Sequence, residues 1–459
     1  MQFIHAAKAL LPQGWCRDVR IAFDAGRIAS VEAGASAAPG DERHAIALPG
    51  MPNLHSHAFQ RGMAGLAEVR GPSADSFWSW RETMYRFALA MTPAQVEAVA
   101  CQLYVEMLEA GFTRVGEFHY LHHDVDGRPY ANVAEMAVRI GAAAQSSGIG
   151  LTLLPVFYAH ATFGGAPAGV GQRRFINDTG GYARLLDATR AALRPLAGAI
   201  VGVAPHSLRA VTPEELALVT AMAGDGPIHI HIAEQVKEVD DCVAWSGARP
   251  VEWLLDHAAV DGRWCLVHAT HMTPNESRRA AASGAVAGLC PITEANLGDG
   301  IFDAPAFMAA GGRFGIGSDS NVQVGVADEL RLLEYSQRLA LRARNVMAVT
   351  SGSTGRALFD AALQGGAAAL GDGVGIGATA GGAGLAVGAS ADVVTLAANH
   401  PALAGRDGDA ILDAWVFAGH ALVDCAWVRG HKQVEGGRHH CRDQIGATFR
   451  TAMAQLCAT

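Results

Sequence analysis

The 459-residue sequence lacks the features that mark several classes of protein. Its eight cysteines are scattered with no C-x-x-C pair, which argues against a cysteine zinc site or a disulfide framework and favours reduced thiols in the cytoplasm. It has no basic cluster and a formal net charge of -9, so nucleic acid is not expected as a partner. No segment approaches the roughly 18 apolar residues of a membrane span, and no secretion signal is recognised at the start. We therefore expect neither a membrane partner nor secretion.

The sequence does contain ample hydrophobic material. Half of its residues are hydrophobic and 17% are charged, which is typical of a globular protein with a sizeable core. The length suggests two or three domains, or one large barrel with an accessory unit.

Between residues 49 and 385, short apolar runs alternate with amphipathic helical patterns. Three of these patterns open with a Thr-Pro pair and a Gln or Glu that would complete a capping box, at Thr92, Thr212 and Thr273. A doubly wound sheet would need a G-x-G-x-x-G motif after an early strand, and none follows one. The pattern predicts an α/β fold, a (β/α)8 TIM-type barrel. The eight runs are the one that ends at His55 and residues 113–118, 150–157, 199–204, 227–232, 264–267, 285–289 and 314–317.

The two chain ends have a different pattern. Residues 1–48 alternate short β-like runs with turns, and residues 391–396 and 414–428 are predicted to be strands. We therefore predict a small β-sandwich domain built from both ends. A terminal helix is predicted at 442–456, and its apolar stripe is expected to dock on its own domain. The predicted parts are 1–48 for the N-terminal part of the sandwich, 49–385 for the barrel and 386–459 for the C-terminal part with the helix.

Two segments interrupt the barrel alternation. Residues 67–81, with Trp78 and Trp80, and the glycine-rich residues 158–180 both follow strand ends. We predict that they are active-site loops, with plain surface insertions as the alternative. The Gly/Ala-rich stretch 352–388 fits either tightly packed helices or a flexible connection.

Ionisable side chains lie at the predicted strand ends. His55 and His57 are two apart on a strand and so point the same way, and a pair of converging imidazoles is half of a zinc site. On this pair alone, two ordinary hydrogen-bonded histidines are an equal alternative. His231, His268 and Asp319 end the fifth, sixth and eighth strands. Because buried ionisable groups cost free energy unless they are paired or metal-bound, their number indicates a metal site.

These motifs resemble the amidohydrolase superfamily, in the branch that uses one metal for deamination. The resemblance implies Glu234, in H-I-A-E, as the acid of the family, with His268 and Asp319 as the other catalytic residues. Strand four ends A-P-H-S-L-R, without the lysine of binuclear members, which supports one divalent metal, most often Zn²⁺ with Fe²⁺ as the alternative. The implied metal ligands are His55, His57, His231 and Asp319.

Longer strings resemble the formimidoylglutamate deiminase family, among them F-W-S-W-R, E-F-H-Y, H-I-H-I-A-E-Q and T-E-A-N-L-G-D-G. The resemblance covers nearly the whole chain. It implies hydrolysis of N-formimino-L-glutamate to N-formyl-L-glutamate and ammonia in histidine degradation, and a homodimer. Asn321, where a histidine is expected, and Ile292, where serine or threonine is usual, depart from the family pattern.

The expected roles follow from this chemistry. Asp319 would accept a proton from the activated water, His268 would stabilise the tetrahedral species, and Glu234 would protonate the departing nitrogen. A substrate with two carboxylates calls for fixed cations, and Arg81 and Arg209 are the candidates. The resemblance also implies that Gln60, Tyr120 and His206 contact the substrate.

Two other functions stay open at this point. An aminohydrolase of the same superfamily acting on a nucleobase or a triazine-like substrate would keep the metal chemistry, but would need stacking partners and amide groups instead of paired arginines. A non-catalytic scaffold on the same fold would have lost its metal ligands, whereas here every ligand position is filled.

Overall fold

The computed structural model describes residues 1–70, 77–348, 352–372 and 383–458. The strands are β1 (Gln2–Leu11), β2 (Gly14–Asp24), β3 (Arg27–Glu32), β4 (Glu42–Pro49), β5 (Met51–Ser56), β6 (Phe112–His119), β7 (Gly150–Phe157), β8 (Ile200–Val201), β9 (Ala204–Pro205), β10 (Ile228–Ile232), β11 (Trp264–His268), β12 (Val286–Leu289), β13 (Arg313–Ile316), β14 (Val393–Leu396), β15 (Val423–Val428), β16 (His431–Glu435) and β17 (Arg438–His439).

The α-helices are α1 (Phe77–Ala90), α2 (Pro93–Glu109), α3 (Glu135–Ser147), α4 (Thr179–Leu193), α5 (Pro213–Ala221), α6 (Val236–Ser246), α7 (Pro250–His257), α8 (Pro274–Ser283), α9 (Pro291–Leu297), α10 (Ala304–Ala309), α11 (Val326–Leu341), α12 (Thr354–Ala369), α13 (Ala410–Ala418) and α14 (Arg442–Leu456). Short 3-10 helices lie at Ala58–Met63, Val170–Gln172 and Pro401–Leu403.

Strands β5 to β13 form the predicted parallel barrel. Strands β5, β6, β7 and β8 are paired in that order, β9 also pairs with β7, and β10 to β13 form a second parallel run. Isolated parallel bridges join the two runs on both sides, at Val203 with Ile228, Ser207 with His231 and Ser56 with Asp319. Every residue of β5, β6, β7 and β10 is buried, as expected for strands covered on both faces. The fourth predicted strand consists of two short pieces, β8 and β9.

The predicted helix starts in the barrel are confirmed. Thr92, Thr212 and Thr273 each cap a helix, with the proline in the first turn and both halves of the capping box formed. These local hydrogen bonds satisfy amide groups that a helix start otherwise leaves without partners.

Strands from both chain ends form one eight-stranded mixed sheet in the order β17, β16, β15, β14, β4, β1, β2, β3. Its inner side chains form a hydrophobic cluster separate from the main cluster of the barrel, in agreement with the predicted small β-sandwich domain. The domain boundaries near residues 48 and 385 stay a prediction.

One part of the C-terminal prediction is wrong. Residues 414–418, predicted to begin a strand, belong to helix α13, and only Val423–Val428 is a strand. A short apolar run does not distinguish a buried helix from a strand by periodicity. The terminal helix α14 has the predicted bounds, but it packs mainly on helix α2 beside the barrel, with Asp443 also paired to Arg438 of β17.

The two predicted loops differ from each other. Helix α1 begins at Phe77, so Trp80 and Arg81 lie on a helix instead of a loop, and residues 71–76 lie outside the described residues. Residues 158–180 contain one short 3-10 helix before α4 begins at Thr179.

Residues 354–369 of the Gly/Ala-rich stretch form α12, and residues 373–382 lie outside the described part. All eight cysteines are free thiols, five of them buried. Across the described ranges, none of the helices has the length and apolar character needed to cross a membrane.

Candidate active site

Four side chains predicted as metal ligands meet at the C-terminal ends of the barrel strands. His55 and His57 come from the end of β5, His231 from β10, and Asp319 follows β13. The Nε2 atom of His55 lies 3.2 Å from that of His57 and 3.0 Å from that of His231. Oδ1 of Asp319 lies 3.4 Å and 3.3 Å from the Nε2 atoms of His55 and His57. All four residues are buried.

The hydrogen bonds of these rings show which nitrogens face the centre. Nδ1 of His57 donates to the carbonyl of Phe118 at 2.9 Å, and Nδ1 of His231 donates to the carbonyl of His206 at 3.1 Å. Each Nε2 therefore carries a lone pair, since a neutral imidazole has one N–H. Burial lowers the pKa of His55 to about 3 and lowers those of His57 and His231 as well, which keeps the rings neutral.

This donor set fits one divalent metal ion. One ligand atom from each of the four residues lies within 4.8 Å of all the others. The Nε2 lone pairs of His57 and His231 converge with Nε2 of His55 and a carboxylate oxygen of Asp319, while Nδ1 of His55 is buried without a hydrogen-bond partner. A cation bound among these atoms would be stabilised by all four.

Two further ionisable groups adjoin the cluster. Nε2 of His268 lies 3.7 Å from Oε1 of Glu234 and 3.8 Å from Oδ2 of Asp319, and its Nδ1 lies 3.3 Å from Oε1 of Glu294. Burial opposes a charge on His268, but the carboxylates of Glu234, Glu294 and Asp319 raise its pKa to about 10. Burial raises the pKa of Glu234 to about 7, close to the range in which a carboxyl group both accepts and gives up a proton.

Asn321, a departure from the family pattern, joins the first and eighth strands. Its amide nitrogen donates to the carbonyls of His57 and Asp319, at 3.1 Å and 2.8 Å, and its oxygen accepts from the Ser318 hydroxyl at 2.6 Å. Its φ of +58° is in the left-handed region, which asparagine tolerates better than most residues. Ile292, the other departure, donates its backbone N–H to Glu329 at 3.0 Å. Asn321 thus links the segments that carry His57 and Asp319, two of the predicted metal ligands, through its amide.

A cavity opens onto the cluster and contains the five predicted substrate-binding residues. Gln60 donates from Nε2 to the hydroxyl of Tyr120 at 2.9 Å. Burial lowers the pKa of His206, and the charges of Arg209 and Arg81 lower it further, so both guanidinium groups act on the same part of the cavity. The predicted residues that line the cavity are Gln60, Arg81, Tyr120, His206, Arg209, Glu234, His268, His57, His231 and Asp319.

Sequence reasoning assigned no individual role to the other residues of the cavity wall. Tyr85, on α1, has its pKa raised to about 12 by burial and by Tyr158, with which it shares a hydrogen bond. Tyr158 directly follows β7, so the strand-end rule that identified the metal ligands would have found it on the third strand. Trp80, Tyr158 and Phe175 lie within the two segments predicted as active-site loops but were not assigned individual roles. Met84, Tyr85 and Leu297 are lining residues outside those segments.

Other histidines of these strands have structural contacts. His229 is fully buried, and its Nε2 donates to the carbonyl of Ala369 at 2.8 Å. His122 and His123 donate from Nε2 to the carbonyls of Val156 and Ile176, at 2.8 Å and 2.7 Å. These rings connect backbone segments and are not part of the cavity lining.

Two family models match this chain. The amidohydrolase family matches residues 46–432, and the model described as "Formimidoylglutamate deiminase HutF, N-terminal domain" matches residues 1–45. The first of these covers most of the chain, including every residue of the metal cluster.

Known proteins resemble the chain over its full length. A formimidoylglutamate deiminase from Pseudomonas aeruginosa is 54% identical over 99% of this chain and 100% of its own length. The crystal structure of an amidohydrolase from Brucella melitensis superposes with a TM-score of 0.96 at 63% identity, covering both chains completely. A zinc-bound adenosine deaminase from Xanthomonas campestris, 21% identical with a TM-score of 0.81 over 100% of this chain and 99% of its own, shares the fold. The chain therefore belongs to the amidohydrolase family, in its formimidoylglutamate deiminase group.

Proposed function

We propose that this protein hydrolyses N-formimino-L-glutamate to N-formyl-L-glutamate and ammonia, the deimination step of histidine degradation. The observation that carries the proposal is the presence of two guanidinium groups, Arg81 and Arg209, in the same cavity as the four-ligand cluster. The full-length similarity to a formimidoylglutamate deiminase supports the same reaction.

We propose Zn²⁺ as the metal, held by the three imidazoles and the carboxylate of the cluster. Zinc-bound proteins with the same fold support this choice. A divalent metal bound there would act as a Lewis acid and lower the pKa of a coordinated water.

The surrounding side chains divide the proton transfers among them. Burial raises the pKa of Asp319, but a hydrogen bond from His55 and electrostatic interaction with the nearby imidazoles outweigh this effect and lower it. The carboxylate is therefore ionised and accepts the proton of the attacking water. His268 is charged and donates a hydrogen bond to the oxygen that develops at the former formimino carbon. Glu234 transfers a proton to the terminal nitrogen, and the water proton held by Asp319 restores the protonated form of Glu234. The hydroxyl proton of the addition product then passes to the same nitrogen, the C–N bond breaks, and ammonia leaves with both protons of the water while the carbonyl of the formyl group forms.

The substrate is oriented from the opposite wall of the cavity. Arg81 and Arg209 bind its two carboxylates, because a guanidinium group presents paired donors that match carboxylate geometry. Gln60, Tyr120 and His206 supply further hydrogen bonds to the substrate. A nucleobase would have no carboxylate for either arginine.

Ammonia release from N-formimino-L-glutamate, with and without a chelator, tests the reaction. We expect release by the zinc-loaded enzyme, loss with chelator and recovery on adding Zn²⁺. Arg81→Met and Arg209→Met are each expected to lower kcat/KM by roughly 10- to 100-fold, the value of a charged hydrogen bond. Arg190→Met is the matched control, since Arg190 donates to the carbonyl of Met222 on the outside of the barrel. Unchanged kcat/KM in both variants, or faster release from guanine or cytosine, would contradict the proposal.

We also propose a homodimer in the cytoplasm. The free thiols support a reducing compartment, and the dimer is supported by family likeness. Sedimentation of the purified enzyme tests the dimer, and a monomer at all concentrations would contradict it.

A further inference from the structure

Arg174 is a fully buried arginine in the segment after β7 that the proposed reaction does not use. Its Nε donates to the carbonyl of His123 at 2.8 Å. Its Nη1 donates to the carbonyls of Met91, at 2.8 Å, and Ala88. Its Nη2 donates to the hydroxyl of Tyr130 at 3.4 Å. The charge is therefore solvated by backbone carbonyls and a phenol from distant parts of the chain.

These contacts join the segments that follow the first three barrel strands. Ala88 is at the end of α1, where helix carbonyls lack partners within the helix, and Met91 follows it. His123 follows β6, and its amide and that of His122 donate to the carbonyl of Arg174 itself, at 3.1 Å and 3.0 Å. One residue thus connects α1, the segment after β6 and the segment after β7.

The same three segments form one wall of the cavity. Helix α1 carries Arg81 and Tyr85, Tyr120 follows β6, and Tyr158 and Phe175 follow β7. The ring of Phe175, next to Arg174 in sequence, lies 5.0 Å from that of Tyr120 and 5.9 Å from those of Tyr85 and Tyr158. This wall is the one that presents Arg81 to the substrate.

The opposite wall is independent of Arg174. Glu234 and His268 come from β10 and β11, and Asp319 comes from the end of the eighth strand. Within the described part of the chain, no hydrogen bond links Arg174 to these three groups. A change at Arg174 is therefore expected to act on substrate binding and not on proton transfer.

Burying a guanidinium group costs free energy that an apolar side chain would not. The fork of five N–H donors is what lets one side chain reach three backbone segments, and lysine has no equivalent geometry. We propose that Arg174 is a positioning residue for substrate recognition, which holds α1 against the barrel so that Arg81 meets a substrate carboxylate. This inference rests on the proposed function.

Arg114 offers a matched control. It is also buried, and it donates to the carbonyls of Leu151 and Gly198, both at 3.1 Å, and to Asp372 at 3.0 Å. It lies at the start of β6, at the end of the barrel opposite the site. Lysine at this position is expected to affect stability alone.

The experiment compares Arg174→Lys with Arg114→Lys in the full-length, zinc-loaded enzyme. Measurements are KM and kcat for N-formimino-L-glutamate, the Kd of N-formyl-L-glutamate and the Tm. We expect Arg174→Lys to raise KM and Kd about 10-fold with kcat within about 2-fold, because misplacing a binding group weakens productive binding. Arg114→Lys should lower Tm and leave KM and Kd unchanged. In an Arg81→Met background, Arg174→Lys should raise KM by less than about 2-fold, because coupled residues are not additive.

Several results would overturn this role. They are an unchanged KM in Arg174→Lys, an equal KM increase in Arg114→Lys, and a full additional increase in the Arg81→Met background. If Arg174→Lys fails to fold, Tyr130→Phe, which removes only the phenol partner, should raise KM about 2-fold, and no change would overturn the inference. No ammonia release by the wild-type enzyme would instead defeat the proposed function.

Discussion

Replacement of Glu234 by glutamine tests the assignment of the proton carrier. Glutamine keeps the volume and the hydrogen-bonding capacity of the side chain but cannot transfer a proton. Glu234 is 5% exposed, and burial already raises its pKa to about 7, so near neutral pH the uncharged amide resembles the protonated acid. We therefore expect little change in folding, in metal content or in KM.

The expected loss is in kcat. A positioned acid or base contributes roughly 10²- to 10⁴-fold to rate. Because residue 234 is buried, bulk water has little access to supply the missing proton in the variant, which favours a large loss of kcat. His268, 3.7 Å away, offers a second N–H donor, which limits the loss. We expect kcat to fall about 10³-fold, equal to about 4 kcal/mol of transition-state stabilisation.

Ammonia release under saturating substrate, together with metal analysis, measures both parts of the prediction. Glu276→Gln is the control, because Glu276 is 3% exposed but pairs with Arg249 at 2.9 Å, away from the cavity. It should lower Tm and leave kcat within about 2-fold of wild type. Near-normal kcat in Glu234→Gln, with zinc retained, would refute the assignment.

Two further predictions concern the metal and pH. Wild type is expected to contain roughly one zinc per chain by metal analysis. His231→Ala should lose this zinc, whereas His229→Ala, two residues earlier, should keep it; equal zinc in both variants would contradict the ligand set. Burial raises the pKa of Glu117 from 4.5 to about 8, so the folded state retains a proton that the unfolded state releases between those values, and the free energy of unfolding should fall as pH rises. Glu117→Gln has no titrating group at this position and should lack this pH dependence. The difference between the Tm of wild type and the Tm of the variant should therefore decrease from pH 5 to pH 8, and a constant difference would contradict the raised pKa of Glu117.

The sequence by itself determined the barrel and the convergence of the four predicted metal ligands. Hydrophobic periodicity and capping boxes such as that at Thr92 are local signals, and their physical causes act within a few residues. Once a parallel barrel is inferred, the C-terminal strand ends must lie at one face, so His55, His57, His231 and Asp319 could be brought together from their places in the sequence.

Only the tertiary structure decided the rest. The placement of α1 and of the segment after β7 depends on contacts between parts of the chain far apart in sequence, such as that of Arg174 with the carbonyl of Met91. Helix α13, where a strand was predicted, depends in the same way on the surface against which an apolar run packs. The sequence could place Arg81 and the segment 158–180 at the site, but not the shape of the wall that receives the substrate, because long-range packing and buried hydrogen bonds determine that shape.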